Sequence, residues 1–414
     1  MNVELLSTGS ELLRGRNVDT NAAWLSRELE KAGHEVRWHQ TVDDDFGRLV
    51  DAVKLAASRA DVILLTGGLG PTEDDYTRRV AEEAFHRPLV FQPGAWKAIQ
   101  ERFRKYGTKM AAINKRQAFI PEGSTLLPNP NGSAPGFALR DSGVFFAAMP
   151  GPPREMMPMF LEHVLPRIRT TSLFDVWEGK SFGLPEGHVD EIVMGVVKDP
   201  RAYGLTVRGG QVSISIRAEG PRRKAVLARL SRRVIARLGD CYYPEELANH
   251  VARRLAETGT TIAVAESCTG GLISHKLTEV PGVSEVLLES VVTYSNESKI
   301  RRLGVPEELI RRHGAVSEEV ARAMALGVVR TSGATIGVAV TGIAGPGGGS
   351  KEKPVGLCYL AVGDQVERRV FSGERAHVKE RAASFALNQV RLRLLRGEGN
   401  AGKTGKKVGL RGGR

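Results

Sequence analysis

The sequence predicts an α/β protein, with two α/β domains of mostly parallel sheets joined by a small α+β module. Three observations lead to this fold class. The 414 residues exceed what one ordinary core accommodates. In residues 1–172 and again in 245–396, short apolar runs alternate with amphipathic stretches, as in βαβ units. Residues 177–242 break this alternation, and residues 397–414 resemble neither part.

In the first domain, buried strands are predicted where apolar runs end in small polar residues or glycine, at 3–8 (VELLST) and 61–68 (DVILLTGG). The stretch between them predicts a helix with Thr20 as its N-cap and Gly33 as its terminator. Two proline-rich stretches, 121–136 and 150–156, are predicted to be loops. In a parallel sheet of this kind, ligands bind at the carboxyl ends of the strands.

The middle module contains a helical stretch at 187–199 and a strictly alternating strand at 212–217 (VSISIR). An acid-free stretch, 221–238, then carries apolar residues at every fourth position, which predicts an amphipathic helix: Val226, Leu230, Val234 and Leu238. The cations of this helix are interpreted as a solvated helix face, and a phosphate-binding face is the less favoured alternative.

The net charge of +12 is unevenly distributed along the chain. Residues 397–414 contain five Lys or Arg, one Glu and seven glycines, so this tail supplies +4 and is predicted to be disordered. Three scattered cysteines argue against a disulfide framework, and no Cys/His pair has zinc-finger spacing. No signal peptide or apolar run of bilayer length is recognisable, so we expect a cytoplasmic protein without a membrane partner.

In the third domain, strands are predicted at TIAVAES, VVTYS, TIGVAV and VGLCYLAV. The first ends in Glu266, Ser267, Cys268 and Thr269, and a helix is predicted from about Gly270. Main-chain N–H groups at that helix terminus would then stabilise an oxyanion beside Ser267.

A serine needs a base, and the next strand offers Lys299 with Tyr294, a known variant of the catalytic triad. Two other interpretations stay open at this point. Cys268 is a rival nucleophile. From the local pattern alone, a capped helix start without catalysis is favoured.

Both large domains contain an apolar strand followed by T-G-x-x-G-P, at 64–71 and at 339–346. Glycines at such positions let the chain turn sharply and bring main-chain N–H groups close to an anion. Because the flanking residues do not match further, this indicates shared loop chemistry and not a duplicated domain.

Several motifs together resemble one family. AESCTGG, VVTYSNESK, GAVSEEVA and AVTGIAGPGGG are similar to the C-terminal domain of CinA, the competence/damage-inducible protein family. TGSELLRG, DTNAAWL, TGGLGPTEDD, NKRQA, NGSAPGF and MPGPPREM resemble its N-terminal domain. The resemblance runs from residue 1 to about 396 in the order of the family.

For the C-terminal domain, the resemblance implies deamidation of nicotinamide mononucleotide to nicotinate mononucleotide and ammonia, without a cofactor. The implied catalytic residues are Ser267 as nucleophile with Lys299 and Tyr294. The implied substrate-binding residues are Glu266, Thr269, Gly270, Thr341, Gly342 and, for the phosphate, Arg381.

For the N-terminal domain, the resemblance implies a molybdopterin-binding-like fold with ADP-ribose pyrophosphatase activity that depends on a divalent metal (Co, Mg or Mn) and potassium. The phosphate-binding and metal candidates are Glu11, Gly67, Gly68, Gly70, Thr72, Asp74 and Asp75, with the metal assigned to Asp74 and Asp75. The alternative is that these acids cap the following helix. At 42–45 the chain reads V-D-D-D where the family reads V-G-D-N, so Asp43 and Asp45 add charge that can alter metal affinity.

The middle module resembles the KH-type modules of this family, for which we expect a structural or dimer-forming role. Nicotinamide mononucleotide and ADP-ribose are both released when NAD is consumed, so a homodimeric salvage enzyme with two sites is the expected protein. Two alternatives stay open: a DNA-associated accessory protein of competence or damage response that uses the basic helix and tail, and a molybdopterin binder with an inactive first domain.

Overall fold

The computed structural model describes residues 1–168 and 174–397. The tail that the sequence predicts to be disordered lies outside the described residues from residue 398 onward. By its internal contacts the chain divides into two compact units. The first contains Met1–Val176 with Ala218–Ala225, and the second contains Trp177–Arg217 with Val226 onward.

The first unit is built on a six-stranded sheet with helices along the chain between its strands. Its strands are β1 (Asn2–Thr8), β2 (Glu35–Val42), β3 (Val62–Thr66), β4 (Leu89–Phe91), β5 (Phe119–Pro121), β6 (Thr125–Leu127), β7 (Gly136–Asp141) and β8 (Val144–Met149). Its helices are α1 (Ser10–Leu13), α2 (Thr20–Lys31), α3 (Phe46–Ala57), α4 (Thr77–Phe85), α5 (Pro93–Lys105) and α6 (Pro153–Met159). The sheet order is β2-β1-β3-β8-β7-β6, and β4 pairs with β5 separately.

The apolar runs of this unit become its central strands. Every residue of β3 and β8 is buried. Successive residues of β3, such as Leu64 and Leu65, face opposite sides of the sheet and pack into two different hydrophobic clusters. Strand β2 is half-buried in an alternating pattern and lies at the sheet edge. Strands β1, β2, β3 and β8 are parallel, whereas β7 and β6 complete the sheet as antiparallel strands.

A smaller sheet follows in the middle of the chain. It comprises β9 (Phe174–Phe182), β10 (Tyr203–Arg208), β11 (Gln211–Glu219) and β12 (Tyr242–Tyr243), in the order β10-β11-β9-β12. Helices α7 (Glu186–Met194) and α8 (Arg223–Leu238) accompany it. The predicted basic helix is therefore present, although its buried residues are Leu227, Ser231, Val234 and Leu238. Val226 and Leu230, predicted for that apolar stripe, are only half-buried.

The rest of the second unit is a five-stranded sheet with helices. Its elements are α9 (Leu247–Thr258), β13 (Ile262–Glu266), α10 (Leu272–Thr278), β14 (Leu287–Val292), α11 (Asn296–Leu303), α12 (Glu307–His313), α13 (Glu318–Ser332), β15 (Ile336–Gly342), β16 (Leu357–Val362), β17 (Gln365–Val370) and α14 (Arg375–Leu395). The sheet order is β14-β13-β15-β16-β17. Strand β13 is parallel to both β14 and β15, and β16 and β17 are antiparallel. The predicted α/β class is confirmed, with antiparallel strands added at one edge of each large sheet.

Three local predictions were wrong. Asp19, and not Thr20, caps α2, because its carboxylate accepts a hydrogen bond from the N–H of Ala22 at 2.9 Å. The two proline-rich stretches are not entirely loops: α6 begins at Pro153, where proline suits the first turn of a helix, and residues 121–136 contain strand β6 (Thr125–Leu127). The helix after Ser267 begins at Leu272 and not near Gly270.

Among residues 1–168 and 174–397, no helix has both the length and the apolar character needed to span a bilayer.

Candidate active site

The candidate active site of the second unit lies where three parallel strands end. Glu266, the last residue of β13, pairs in register with Val292 of β14 and with Val340 of β15. The residues that follow these positions therefore meet at one edge of the sheet, on both sides of the central strand β13. This is the position at which α/β sheets bind ligands.

Ser267 follows β13 directly and is almost fully buried, with 8% of its surface exposed. Its N–H donates to the carbonyl of Val340 at 2.9 Å, which ties the serine to the neighbouring strand. Lys299 lies in the first turns of α11, whose N-cap Ser295 accepts from the N–H of Ser298. Lys299 is 1% exposed, and its Nζ lies 3.1 Å from the Oγ of Ser267.

The Nζ of Lys299 also donates to two main-chain carbonyls, those of Thr293 at 2.8 Å and Tyr294 at 3.2 Å. A carbonyl oxygen can only accept, so these contacts use two N–H hydrogens. An uncharged amine has two hydrogens and one lone pair. In that state the lone pair is left for the hydroxyl of Ser267, which then donates to it. The geometry is that of a base beside a nucleophile.

Burial lowers the pKa of Lys299 below the ordinary value for lysine, because the charged form loses its hydration in the protein interior. None of its three polar neighbours is a carboxylate that would hold the ammonium form. Both factors favour the uncharged amine.

Glu266 does not act as the resemblance implied. Its side chain is fully buried and accepts hydrogen bonds from the N–H groups of Gly271 at 3.0 Å, Ile273 at 3.2 Å and Ser274 at 2.9 Å. The carboxylate thus caps α10 and occupies the helix-terminal donors that were expected to stabilise an oxyanion. It positions the turn that carries Ser267 and is not among the residues lining the cavity.

Cys268 points into the hydrophobic core. It is 5% exposed, and its Sγ lies 4.0 Å from the Sγ of Cys358 on β16. The contact between the two thiols lowers the pKa of Cys268 and, together with burial, raises the pKa of Cys358. The pair packs with core residues such as Val264 and Val340. Its packing therefore favours a structural cysteine over the rival nucleophile.

Tyr294 is 60% exposed as a residue; its carbonyl accepts from Lys299, and its phenol accepts a hydrogen bond from Arg375 at 2.9 Å. Within the described chain no hydrogen bond joins the phenol to Ser267 or Lys299, so the expected proton relay through this hydroxyl has no contact to support it.

Arg375, at the start of α14, is a site residue that sequence reasoning missed. It lines the cavity and also donates to the carbonyl of Gly345 at 2.8 Å. Arg381, the residue assigned to the phosphate, instead donates to the carbonyl and hydroxyl of Ser372 and does not line the cavity. The two arginines share one helix, and the sequence alone does not reveal which turn of that helix faces the serine.

A cavity of about 260 Å³ opens beside Ser267. Of the predicted substrate-binding residues, Thr341 and Gly342 line it, while Thr269 and Gly270 do not. Further lining comes from Ala315, Val316 and the glycine-rich loop, which we define as residues 345–349. None of the described residues that line the cavity is acidic, and Arg375 is an exposed cation there. The cavity is therefore suited to a substrate that carries an anionic group.

The first unit contains the other predicted site, the loop between β3 and α4. Gly67 and Gly68 have positive φ values of 103° and 63°, and a side chain at Gly67 would approach the carbonyl of Thr8 to 2.7 Å. Asp75 accepts from the N–H groups of Gly70 and Thr72, both at 2.8 Å. These residues therefore lie in one turn with a defined geometry.

The same loop is held from the other side by Arg78. This guanidinium is 5% exposed and donates to the carbonyls of Leu69 at 2.7 Å and Gly70 at 2.6 Å. Burial lowers the pKa of Arg78 to about 10. The loop is thus fixed by both a carboxylate and a guanidinium.

The donor set does not fit the divalent metal implied for this domain. Both carboxylate oxygens of Asp75 are used by the loop, and Asp74 is exposed. Glu11 lies on α1, with its carboxylate next to the position that a side chain at Gly9 would occupy. Within the described ranges, no three His, Cys, Asp or Glu side chains converge in a way that could hold a metal ion. The residues present therefore do not fit a metal held by Asp74 and Asp75. Asp75 stabilises the loop itself, and the alternative interpretation that these acids cap the following helix is also wrong, because α4 has Tyr76 at its N-cap position and no side-chain capping hydrogen bond.

The two acids at which the chain departs from the family pattern both have local partners. Asp43 forms a 2.7 Å ion pair with Arg48, and Asp45 caps α3 by accepting from the N–H of Arg48 at 2.9 Å. Asp44 lies between them and accepts from the hydroxyl of Thr8 at 3.0 Å and the N–H of Ser10 at 2.8 Å. The added charge at 43 and 45 is thus occupied in an ion pair and a helix cap.

Comparison with known proteins identifies the family. Residues 244–394 match the CinA C-terminal domain, and residues 4–170 match the family described as "Probable molybdopterin binding domain". A CinA-like protein of Anaeromyxobacter sp. (strain K) is 41% identical over 407 residues, which cover 95% of this chain and 100% of that protein. The chain belongs to the CinA family. A CinA-like protein of Dictyoglomus turgidum is 39% identical over 402 residues, covering 95% of this chain and 96% of that protein.

Solved CinA structures match part of the chain. A competence/damage inducible protein of Agrobacterium tumefaciens is 40% identical, covers 36% of this chain and 97% of its own, and gives a TM-score of 0.34. A CinA superfamily protein of Klebsiella pneumoniae is 34% identical, covers 36% of this chain and 97% of its own, and gives a TM-score of 0.36. The resemblance to CinA that the motifs indicate is confirmed by the family matches and the full-length relatives.

Proposed function

We propose that the C-terminal domain of this CinA protein deamidates nicotinamide mononucleotide to nicotinate mononucleotide and ammonia. The observation that carries the proposal is the 3.1 Å contact between the Oγ of Ser267 and the buried amine of Lys299. The cavity beside them supports a nucleotide substrate, since its described lining contains no acid and Arg375 can bind a phosphate.

In the first half of the reaction, the amine of Lys299 removes the proton from Ser267 as Oγ bonds to the carboxamide carbon. The carbon–nitrogen bond then breaks, and the proton on Lys299 passes to the nitrogen, which leaves as ammonia. The N–H of Cys268 makes no main-chain hydrogen bond within the described ranges and lies next to the nucleophile. It is therefore the donor we assign to the oxyanion, as in other hydrolases whose nucleophile occupies a strand-to-helix turn.

In the second half, water attacks the ester formed on Ser267 and gives one proton to Lys299. The carbon–oxygen bond to Ser267 breaks, the serine regains its proton from Lys299, and nicotinate mononucleotide is released. One amide and one water thus become one acid and one ammonia, and the chain's own residues account for each proton moved.

Ammonia release from nicotinamide mononucleotide tests this proposal. For Ser267→Ala we expect the rate to fall by roughly 10⁴-fold, the scale on which loss of a nucleophile acts. Cys268→Ala is the matched control, because it alters the adjacent residue but not the proposed nucleophile. Turnover at the parent rate in Ser267→Ala, or loss only in Cys268→Ala, would show that the serine is not the nucleophile.

For the N-terminal domain we propose ADP-ribose pyrophosphatase activity. The supporting observation is the rigid loop of residues 67–75, whose glycines let main-chain N–H groups approach a pyrophosphate. Since the residues of this domain do not fit a protein-held metal, we assign no step to one.

Two variants separate the roles of the adjacent acids in this loop. Asp75→Asn is expected to lower ADP-ribose hydrolysis by about tenfold or more, because it removes the acceptor of two loop N–H groups. Asp74→Asn is expected to keep hydrolysis within about twofold, because surface substitutions away from such contacts have small effects. A variant at Asp74 that loses activity while Asp75→Asn keeps it would contradict this assignment.

A further inference from the structure

The Ser267 cavity has two walls that come from separate parts of the chain. Ala315 and Val316 lie in the segment between α12 and α13, and the glycine-rich loop follows β15. Neither segment is a helix or a strand, so the shape of the cavity depends on what holds these two segments together.

Lys353, which follows the glycine-rich loop, makes that connection. Its Nζ donates to the carbonyl of His313 at 2.6 Å and to the carbonyl of Val316 at 2.7 Å. Both acceptors are main-chain oxygens at the ends of the segment that contains Ala315. The two hydrogen bonds therefore fix this segment on either side of the residues that line the cavity.

The base of this lysine is itself fixed by a tight turn. The N–H of Ser350 donates to the carbonyl of Lys353 at 2.8 Å, and the N–H of Lys353 donates to the Oγ of Ser350 at 3.0 Å. A second link joins the same segment to the sheet, since the hydroxyl of Thr341 donates to the carbonyl of Ala315 at 2.8 Å. Lys353 is thus anchored at its main chain and directed at the opposite wall.

An ammonium suits this task because it presents three donors at the end of a long stem, and hydrogen bonds from a charged donor are stronger than neutral ones. Lys353 is half-buried, so water competes less for its hydrogens than at the surface. The neighbouring Lys351 is exposed. The two lysines differ in this contact, which makes one the control for the other.

We propose that Lys353 is a positioning residue of the amidohydrolase site: by joining the glycine-rich loop to the segment 313–316, it holds the two walls of the cavity together around the substrate. This inference rests on the proposed function of the C-terminal domain. Lys353 does not line the cavity, so it acts through the walls and not on the reacting atoms. The separation of these two walls affects two measurable quantities, the binding of substrate and the hydration of Lys299.

Both consequences follow from loss of the contact. If the walls separate, contacts with bound substrate weaken in the ground state and the transition state alike, which raises KM more than it lowers kcat. Water that enters next to Lys299 stabilises its charged form, so the pH at which kcat/KM rises moves upward, towards the value of an ordinary lysine.

The test compares Lys353→Met, Lys353→Arg and Lys351→Met in the full-length protein, first without substrate. Hydrogen exchange of the main-chain amides of residues 313–320 is measured by mass spectrometry. We expect exchange at least about fivefold faster in Lys353→Met, because the segment opens locally, and parental exchange in Lys351→Met. Lys353→Arg keeps a charged donor and is expected to restore part of the protection.

The kinetic arm uses nicotinamide mononucleotide across a pH series. For Lys353→Met we expect KM to rise by about tenfold, kcat to stay within about threefold, and the alkaline rise of kcat/KM to move to higher pH.

Unchanged exchange in Lys353→Met would overturn the inference, as would faster exchange with parental KM and pH profile. If Lys353→Met fails to fold, Lys353→Arg decides: faster exchange with a raised KM would support the positioning role, and faster exchange with parental KM and pH profile would overturn it. A parent protein that releases no ammonia would refute the proposed function, whereas the exchange arm would still decide the contact.

Discussion

Lys299 is the residue whose protonation controls the proposed reaction. Because burial lowers its pKa, the uncharged amine becomes abundant at a lower pH than for a lysine in water, whose pKa is about 10.4. We therefore predict that kcat/KM for deamidation rises with pH through a single ionisation that lies below this value. The measurement is a pH–rate profile in buffers of constant ionic strength.

The control for this profile is Lys299→Met, which removes the base and keeps an apolar stem in the same space. We expect it to be inactive at every pH. A parent profile that rises only at the pH of an ordinary lysine, or activity in Lys299→Met, would contradict the role of this amine.

The same residue also affects how stability depends on pH. Between the lowered pKa of the folded state and the ordinary pKa of the unfolded chain, the unfolded chain binds a proton that the folded protein does not. The free energy of unfolding therefore rises with pH in this alkaline window and is smallest below it. Relative to the parent, Lys299→Met should lack this rise and should be more stable at pH 7. Urea unfolding of the parent and of Lys299→Met at pH 7 and at pH 9 gives the free energy of unfolding at each pH. An equal change in this free energy between the two pH values in both proteins would contradict the prediction.

For Cys268 we predict that substitution lowers stability but keeps activity. Its sulfur contacts Cys358 in the core and has no role in the proposed reaction. Cys268→Ala should lower the free energy of unfolding by about 1–2 kcal/mol, because it leaves a small cavity, and should keep most of the deamidase activity. Denaturant unfolding and the ammonia assay on one preparation test both parts. Full stability with lost activity would reverse the assignment.

At this scale the sequence predicted that Ser267 and Lys299 lie together, but it did not predict the hydrogen bonds of the residues around them. The sequence placed Ser267 at the end of one strand and Lys299 in the next strand, and parallel strands bring such positions to one edge of the sheet. The structure corrects the second placement, because β14 ends at Val292 and Lys299 lies on α11. The role of Glu266 was not predictable, because it depends on α10 beginning at Leu272, which leaves room for the carboxylate to reach the helix terminus. Arg375 was missed for a related reason, since the register of α14 against the cavity is set by tertiary packing.

At the scale of elements, the Glu266 cap determines whether α10 and the Ser267 turn hold their positions. The carboxylate accepts from three main-chain N–H groups and from the hydroxyl of Ser274. Glu266→Gln replaces one acceptor oxygen with a donor that faces these N–H groups. We predict a loss of about 1–3 kcal/mol in the free energy of unfolding and at least about tenfold in kcat.

Glu279→Gln is the matched control, because Glu279 follows the same helix but is exposed and contacts His275 at the surface. It should change neither quantity appreciably. The measurements are urea unfolding and deamidase kinetics on both variants. Equal stability of the two variants would show that the buried carboxylate does not cap the helix in solution.

The sequence also predicted elements unequally. Fully apolar runs such as those of β3 and β13 were recognisable as buried strands, since both faces of these strands are covered. The antiparallel edge of each large sheet was not predicted, because strand order and direction depend on connections that periodicity does not contain. In α8, helix formation was predictable, but the buried stripe includes Leu227 and Ser231, since packing selected a neighbouring line of residues.

At the scale of the whole molecule, the basic segments and the candidate active site lie in different parts of the chain. The cations of α8 that lie in the second unit are exposed: Arg229, Arg232, Arg233 and Arg237. The sequence after Gly397 adds five Lys or Arg and one Glu, so its removal lowers the net charge from +12 to +8. None of these residues lines the Ser267 cavity among the residues that the structure describes.

We predict that a chain ending at Gly397 keeps kcat and KM for deamidation within about twofold, because substitutions far from a site have small effects. Any retention on double-stranded DNA should weaken and should fall steeply with salt, as electrostatic binding does. The measurements are the ammonia assay and DNA binding at two salt concentrations. A truncated chain with unaltered, salt-insensitive DNA binding would instead favour the DNA-associated alternative with a surface other than the tail.

The two carbonyls that accept from Lys299 belong to the main chain, and this has a practical consequence for protein engineering. Tyr294 lines the cavity and Thr293 is fully buried away from it, so substitutions at Tyr294 can reshape the entrance for other amides while both carbonyl contacts to the amine remain. Shortening or lengthening the connection between β14 and α11 displaces the oxygens themselves. For the proposed reaction we therefore expect substrate scope to respond to substitution of Tyr294, and the rate to respond to the length of this connection.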